Sequence, residues 1–238
     1  MHTQKKQRIV IIGGSSGMGL ASATFMGKLG YEIVIASRSK EKLDHAIKTI
    51  GKGEAKILDT SKESHVIDFF SSIEPFHHLV ISAADFIMGP FLELSMQEAK
   101  RFFDSKFWGQ YCVAKYGAKK ILKGGSITFF SGVAGQKPVS NLSVASAING
   151  AIESLTRALA LELAPIRVNA IAPGIVATPV WDSMPEKERF AYFQKAGQKL
   201  PCGRIGQPED IAQIVRFLIE CGYATGDVIF CDGGDRLI

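Results

Sequence analysis

Short apolar runs alternate with amphipathic stretches along the whole chain. Residues 9–12, Ile-Val-Ile-Ile, form the first run, and their mostly β-branched side chains suit a strand buried on both faces. Comparable runs recur at 32–36, 55–58, 78–82, 126–130, 167–171 and 228–230. Between them, apolar residues repeat every three or four positions, which predicts helices with one packed face over 17–29, 40–50, 62–73, 96–122, 144–163 and 209–220. Seven strands, each reached through a helix or a long crossover, predict an α/β fold: a doubly wound parallel sheet with helices on both faces. The ligand of such a sheet lies at the carboxyl ends of its strands. One segment, 173–208, breaks the alternation and holds a single short helical pattern at 186–199 with Phe190, Tyr192 and Phe193. A loop of that length in a compact domain is usually a lid or binding loop, the plainer alternative being that its aromatics pack down. With no repeat, low-complexity tract or linker, residues 1–238 read as one domain.

Composition narrows the function classes. Apolar residues make up 46% and charged residues 21%, as in an ordinary globular protein. A net charge of +5 suits an anionic cofactor or substrate but is too dispersed for nucleic acid. The densest basic cluster, Lys115, Lys119, Lys120 and Lys123, reads as the solvated end of a helix. The first apolar run is too short for a signal peptide or a membrane span, so the expected location is cytoplasmic, with no membrane partner. Cys112, Cys202, Cys221 and Cys231 have neither C-x-x-C nor zinc spacing and read as reduced thiols. The five histidines form no H-x-x-x-H pair, so no metal site is expected.

The first strand ends in Gly13-Gly14-Ser15-Ser16-Gly17-Met18-Gly19, where a helical pattern begins. Strand, glycine turn and helix start together favour a phosphate, because the free N–H groups and the helix dipole point at the turn. Gly17 leaves room for a pyrophosphate and Gly19 lets helix and strand approach. The spacing G-x-x-x-G-x-G with two serines inside resembles the short-chain dehydrogenase/reductase family. Pro173-Gly174-Ile175-Val176-Ala177-Thr178-Pro179 is similar to that family's P-G-x-x-x-T-P run. Arg167-Val168-Asn169, Arg204-x-Gly206-x-Pro208-Glu209-Asp210, and Thr225-Gly226 with Asp232-Gly233-Gly234 follow in the family's order, so the resemblance covers residues 8–234.

The resemblance implies a Rossmann-type sheet binding a nicotinamide dinucleotide through Gly13, Ser15, Ser16, Gly17, Met18 and Gly19. It also implies Asp59 and Thr60 near the adenine, and Ser82, Ala83 and Ala84 near the ribose where N-N-A-G is usual. Pro173, Gly174, Val176 and Thr178 fall at the nicotinamide. Ser37-Arg38 ends the second strand without the carboxylate that would bind both ribose hydroxyls, and guanidinium matches phosphate geometry. NADP(H) is therefore expected in preference to NAD(H).

The family's chemistry uses Tyr-x-x-x-Lys on the helix after the fifth strand, a serine at the end of that strand, and an asparagine on the preceding helix. Alignment through Ser131-Gly132-Val133-Ala134-Gly135 and the run 153–169 puts Ala145 at the tyrosine, Asn149 at the lysine, Gly132 at the serine and Lys106 at the asparagine. A slip of two residues gives Ser143 and Ala147 instead, and the motif is absent in either register. Tyr111 and Tyr116 lie on the preceding helix and are the nearest tyrosines in sequence. Lysine and asparagine have exchanged places, and Lys106 stands on an apolar stripe with Phe102, Phe103, Gly109 and Val113. A desolvated lysine has a lowered pKa and can act as acid or base. One reading makes Lys106 the proton donor, assisted by Ser131 (or Ser143) and Asn149. The other has Lys106 snorkel outward or contact a neighbouring subunit.

The leading expectation is an NADP(H)-dependent oxidoreductase acting on a small carbonyl or alcohol through a non-standard site. The rivals are a catalytically silent NADP(H)-binding regulator or sensor and a structural partner without nucleotide. The resemblance also implies a homodimer or homotetramer through the helices near 96–122 and 144–163.

Overall fold

The structure, a computed structural model, describes residues 6–83 and 85–238. Seven strands form one parallel sheet: β1 (Arg8–Ile12), β2 (Glu32–Ser37), β3 (Glu54–Ile57), β4 (Phe76–Ile81), β5 (Ile121–Phe130), β6 (Arg167–Pro173) and β7 (Val228–Cys231). Their order across the sheet is β3-β2-β1-β4-β5-β6-β7. The helices are α1 (Gly17–Lys28), α2 (Lys40–Ile50), α3 (Glu63–Ser72), α4 (Met96–Phe103), α5 (Gly109–Gly117), α6 (Ser143–Glu162), α7 (Glu186–Lys199) and α8 (Pro208–Glu220).

Strand alternation divides the core into two layers. Val10 and Ile12 face a layer closed by Phe69 and Phe70 of α3, Phe102 of α4, Val113 of α5, and Ile148 and Ile152 of α6. Ile9 and Ile11 face the opposite layer, closed by Ala23 and Met26 of α1, Leu43 of α2, and Ile211, Val215 and Leu218 of α8. Each fully buried aliphatic side chain contributes about 1.5–3 kcal/mol, and β1 supplies four to the two layers. The chain winds outward from β1 through β2 to β3, then restarts at β4 on the other side of β1. A crevice therefore opens at the carboxyl ends of β1 and β4, where neighbouring connections leave in opposite directions.

The largest departure from the sequence pattern is the expected helix over 96–122. It is three pieces: α4, a π-helical turn at Asp104–Trp108, and α5, followed by a 3₁₀ turn at Ala118–Lys120. Gly117 ends α5 where the helix presses on the sheet, since a Cβ there would lie 2.7 Å from Leu79 and 2.8 Å from Phe70. Ile121 and Leu122 have the spacing of a last helical turn, yet they open β5, which begins five residues before the expected start. Ile121 pairs with Phe76, and the register then jumps so that Ser126 pairs with His78. The other elements end within about two residues of the expected bounds, as helix ends commonly do. Helix α7 occupies 186–199 as the pattern predicts.

Candidate active site

The turn after β1 is held by backbone bonds to both neighbouring strands. The N–H of Gly13 donates to Ala36 O at 2.8 Å, and the N–H groups of Ser82 and Ala83 donate to Ile12 O at 2.9 and 3.1 Å. Gly13 has φ +89°, and a Cβ on it would sit 2.5 Å from Ala83 N. A Cβ on Gly19 would sit 2.3 Å from Gly13 O, so both glycines are needed for α1 to lie this close to the turn. Ser16 precedes α1 without capping it, and the first helical turn carries no acidic residue. The N–H groups at this helix start therefore keep their capacity for an anion.

A cleft of about 1480 Å³ runs from this turn across the carboxyl edge of the sheet. It is larger than an ordinary small-ligand pocket and suits a dinucleotide with a substrate beside it. Gly13, Ser15, Ser16, Gly17, Met18, Gly19, Ser37, Arg38, Asp59, Thr60, Ser82, Ala83, Pro173, Gly174, Val176 and Thr178 all line it. Ala84 lies outside the described residues. At the far end, Arg38 is exposed and donates to Asp85 Oδ1 at 2.8 Å. Burial pulls the Asp59 carboxyl upward, but hydrogen bonds from Ser61 and the charges of Lys62 and Arg38 outweigh it and hold the group below its usual value. The open helix start, the glycine cradle and the guanidinium form a donor set that fits a phosphorylated dinucleotide.

At the other end, Lys106 occupies the middle of the π-helical turn. Such turns insert one extra residue and re-aim side chains. Gln110 anchors the turn: its amide donates to Phe130 O at 3.0 Å and accepts from Phe130 N at 3.1 Å. The amine of Lys106 turns inward rather than snorkelling, and donates to Asn149 Oδ1 at 2.7 Å and Ser131 O at 3.0 Å. Both acceptors are neutral, and no carboxylate among the described residues forms an ion pair with it. Desolvation of the ammonium is thus uncompensated and lowers its pKa to about 8.

Each partner is fixed in turn. Asn149 is 3% exposed on α6, and a Cβ on Gly132 would stand 2.8 Å from its Nδ2. Ser131 contributes its carbonyl, not the hydroxyl that the sequence suggests, because the hydroxyl is directed to Ile171 O at 3.4 Å. Ser143, the other candidate, lines a separate shallow depression with Phe91, Met96 and Trp108. Ala145 lines the main cleft one turn before Asn149.

Comparison with known proteins agrees with this architecture. The family profile described as "Enoyl-(Acyl carrier protein) reductase" matches residues 13–235. "Short-chain dehydrogenase/reductase ATR9" of Stachybotrys chlorohalonatus is 34% identical over 98% of this chain and 98% of its own. The human "3-oxoacyl-[acyl-carrier-protein] reductase" is 31% identical over 96% of this chain and 97% of its own. A solved structure described as a small-chain dehydrogenase in complex with NADPH superposes with a TM-score of 0.86 at 37% identity, covering 98% of this chain and 100% of that one.

The chain belongs to the short-chain dehydrogenase/reductase family.

Lys115, Lys137 and Asp235 of this short-chain dehydrogenase/reductase cleft escape a reading of the sequence. Tyr-x-x-x-Lys spacing does occur, but as Tyr111 to Lys115 on α5 and as Tyr116 to Lys120, which runs from α5 into the 3₁₀ turn. Tyr111 and Lys115 line the cleft, with Lys115 3.8 Å from Glu63, whereas Tyr116 donates to Glu63 and Lys120 to Ile73 O. Of the aromatics at 173–208, Trp181 and Tyr192 line the cleft with ring centroids 5.2 Å apart. Trp181 also meets Phe86 and Phe193, while Phe190 is exposed. Lys137 and Asp235, paired at 2.7 Å, close the same side. Asp235 comes from the far end of the sequence, and only the folded chain brings it there. Among the described residues no group of three or more His, Cys, Asp or Glu could hold a metal ion, and no helix is long and apolar enough to cross a membrane.

Proposed function

We propose that this chain is an NADP(H)-dependent oxidoreductase that interconverts a carbonyl and an alcohol, with Lys106 as the proton-carrying group. The observation that carries the reading is the inward amine, bonded to Ser131 O and Asn149 Oδ1 and desolvated to a pKa of about 8. An ammonium has three N–H bonds, and two are committed to those oxygens. The third is free for a substrate oxygen in the cleft. When that proton leaves, the neutral amine keeps both bonds, so Lys106 can give up and regain a proton without moving. The nicotinamide supplies hydride when bound. The residues of the glycine turn hold the phosphates, and the run 173–178 backs the nicotinamide end.

NADP(H) is preferred in this reading because Arg38 follows Ser37 at the end of β2, where no carboxylate stands to bind the ribose hydroxyls. The NADPH-bound relative supports the same choice. Ala145 and Asn149 take the places of the family's tyrosine and lysine, which makes the site non-standard. The same substitution favours a second reading, a catalytically silent NADP(H) binder. We also propose one domain over 1–238, and a homo-oligomer, for which exposed Phe91, Leu92, Met96 and Trp108 offer apolar surface.

Lys106→Ala separates the two catalytic readings. Measured against a panel of ketones with NADPH, turnover is expected to fall by about 100-fold or more while NADPH affinity stays within about twofold. Turnover in the unsubstituted protein that Lys106→Ala leaves unchanged would refute the assignment. Absence of turnover across the panel, with tight NADPH binding, favours the silent binder.

A further inference from the structure

The ion pair at the nucleotide end of the cleft has a consequence for cofactor choice. Arg38 Nη2 donates to Asp85 Oδ1 at 2.8 Å, and both residues line the cleft. Arg38 comes from the end of β2, whereas Asp85 follows β4, forty-seven residues on. Asp85 is held on its own side. Its N–H donates to Ser105 Oγ at 3.3 Å, and the neighbouring Phe86 ring meets Phe102 edge-on. The carboxylate is therefore presented from a fixed base and is half-buried, with 32% side-chain exposure against 65% for Arg38.

We propose that Asp85 is a specificity-determining residue that competes with a 2′-phosphate for Arg38 and so weakens the preference for NADP(H). The inference rests on Arg38 being the 2′-phosphate partner. A dianionic phosphate at Arg38 must either displace Asp85 or bind beside its negative charge, and either costs affinity. A nucleotide without the 2′-phosphate meets neither penalty. Asp85 thereby narrows the gap between the two cofactors while Arg38 widens it.

The test measures NADPH and NADH dissociation constants by quenching of tryptophan fluorescence in the unsubstituted protein, Asp85→Asn, Arg38→Gln and the double variant. Asp85→Asn keeps the shape of the side chain and removes its charge. It is expected to tighten NADPH by about fivefold, the weight of a partly exposed ion pair. NADH affinity is expected to move less than about twofold, and the gain should vanish in the Arg38→Gln background. Two outcomes overturn the proposal. If Asp85→Asn weakens NADH, Asp85 is an acceptor for ribose hydroxyls instead. If the NADPH gain persists without Arg38, the competition is not for that guanidinium. An Arg38→Gln protein with undiminished NADPH affinity would instead remove the NADP(H) reading beneath the proposal.

Discussion

Replacing Lys106 by Met removes a charge that the fold pays to hold, so turnover should be lost with little change in stability at pH 7. The amine's pKa is lowered from 10.5 to about 8 by desolvation. At 1.36 kcal/mol per unit, that shift corresponds to about 3 kcal/mol of differential interaction against the charged form. Below pH 8 both folded and unfolded chains carry the proton and the penalty is fully present. Between pH 8 and 10.5 the unfolded chain binds more protons than the folded one, so stability rises with pH. Integrated from neutral pH to pH 9.5, the gain is about 2 kcal/mol. Lys106→Met abolishes that gain. At neutral pH it also relieves the desolvation cost, against the loss of two hydrogen bonds that leaves Asn149 Oδ1 and Ser131 O without this donor, about 1–3 kcal/mol each. The two effects nearly cancel, so the variant should be about as stable as the parent at pH 7 while losing turnover. Urea unfolding of both proteins at pH 7 and pH 9.5 measures the difference. The reasoning is refuted if the parent gains nothing on Lys106→Met between the two pH values, because the amine then titrates as it would in water.

Other expectations follow from the same geometry. Carbonyl reduction should lose about tenfold in rate per pH unit above the Lys106 pKa of about 8, with the reverse oxidation losing rate below it; initial rates in both directions across pH report this. Asn149→Asp puts a carboxylate at the oxygen now 2.7 Å from the amine and should raise the break in the pH–rate profile by about 1–3 units. Gly132→Ala drives a Cβ to 2.8 Å from Asn149 Nδ2 and should lower kcat by about tenfold with NADPH affinity unchanged, as read by steady-state kinetics beside a fluorescence titration. Gly13→Ala combines φ +89° with a Cβ 2.5 Å from Ala83 N and should cost several kcal/mol, seen as a lowered Tm and lost nucleotide binding.

What the sequence makes legible follows from locality. Ile9 to Ile12, Gly13 and the helical period behind Gly17 are neighbours in the chain, and their alternation already dictates a strand buried between two helix layers. Arg38 and Thr178 carry meaning through motifs of fixed length. The 96–122 stretch misled because a 3.6-residue period survives an inserted residue and a glycine end. Lys106 keeps apolar neighbours three and four positions away whether its turn is α or π, and Ile121 continues the period after the helix has stopped. Asp85, Lys137 and Asp235 are invisible for another reason. Each acts through a partner tens of residues distant, or through a cavity wall, and no local pattern records either.

On the reading proposed above, decay and redesign of an active site would leave different marks around Asn149. Decay relaxes each position separately, so a lost side chain leaves space or an unanswered polar group. Here Gly132, Asn149, Lys106 and Ser131 meet one another, while Glu153 Oε1, one turn further along α6, is buried without a hydrogen bond among the described residues. Gly132 has no side chain, and the room is taken by the Asn149 amide, which a Cβ would meet at 2.8 Å. Asn149 Oδ1 meets the Lys106 amine at 2.7 Å, and the extra residue of the π-helical turn, pinned by Gln110 to Phe130, aims that amine inward. Ser131 turns its carbonyl to the same amine. Restoring any one position alone breaks the others: Gly132→Ser crowds Asn149, and Asn149→Lys brings a second ammonium against the first. A Tyr-x-x-x-Lys motif rebuilt by Ala145→Tyr with Asn149→Lys should therefore not raise turnover unless Lys106→Asn accompanies it, since two desolvated amines at one site repel. Ketone reduction by the double and triple variants decides this. Activity gained in the double variant alone would mean that Lys106 and Asn149 are independent after all, and that the site is a family site with pieces missing.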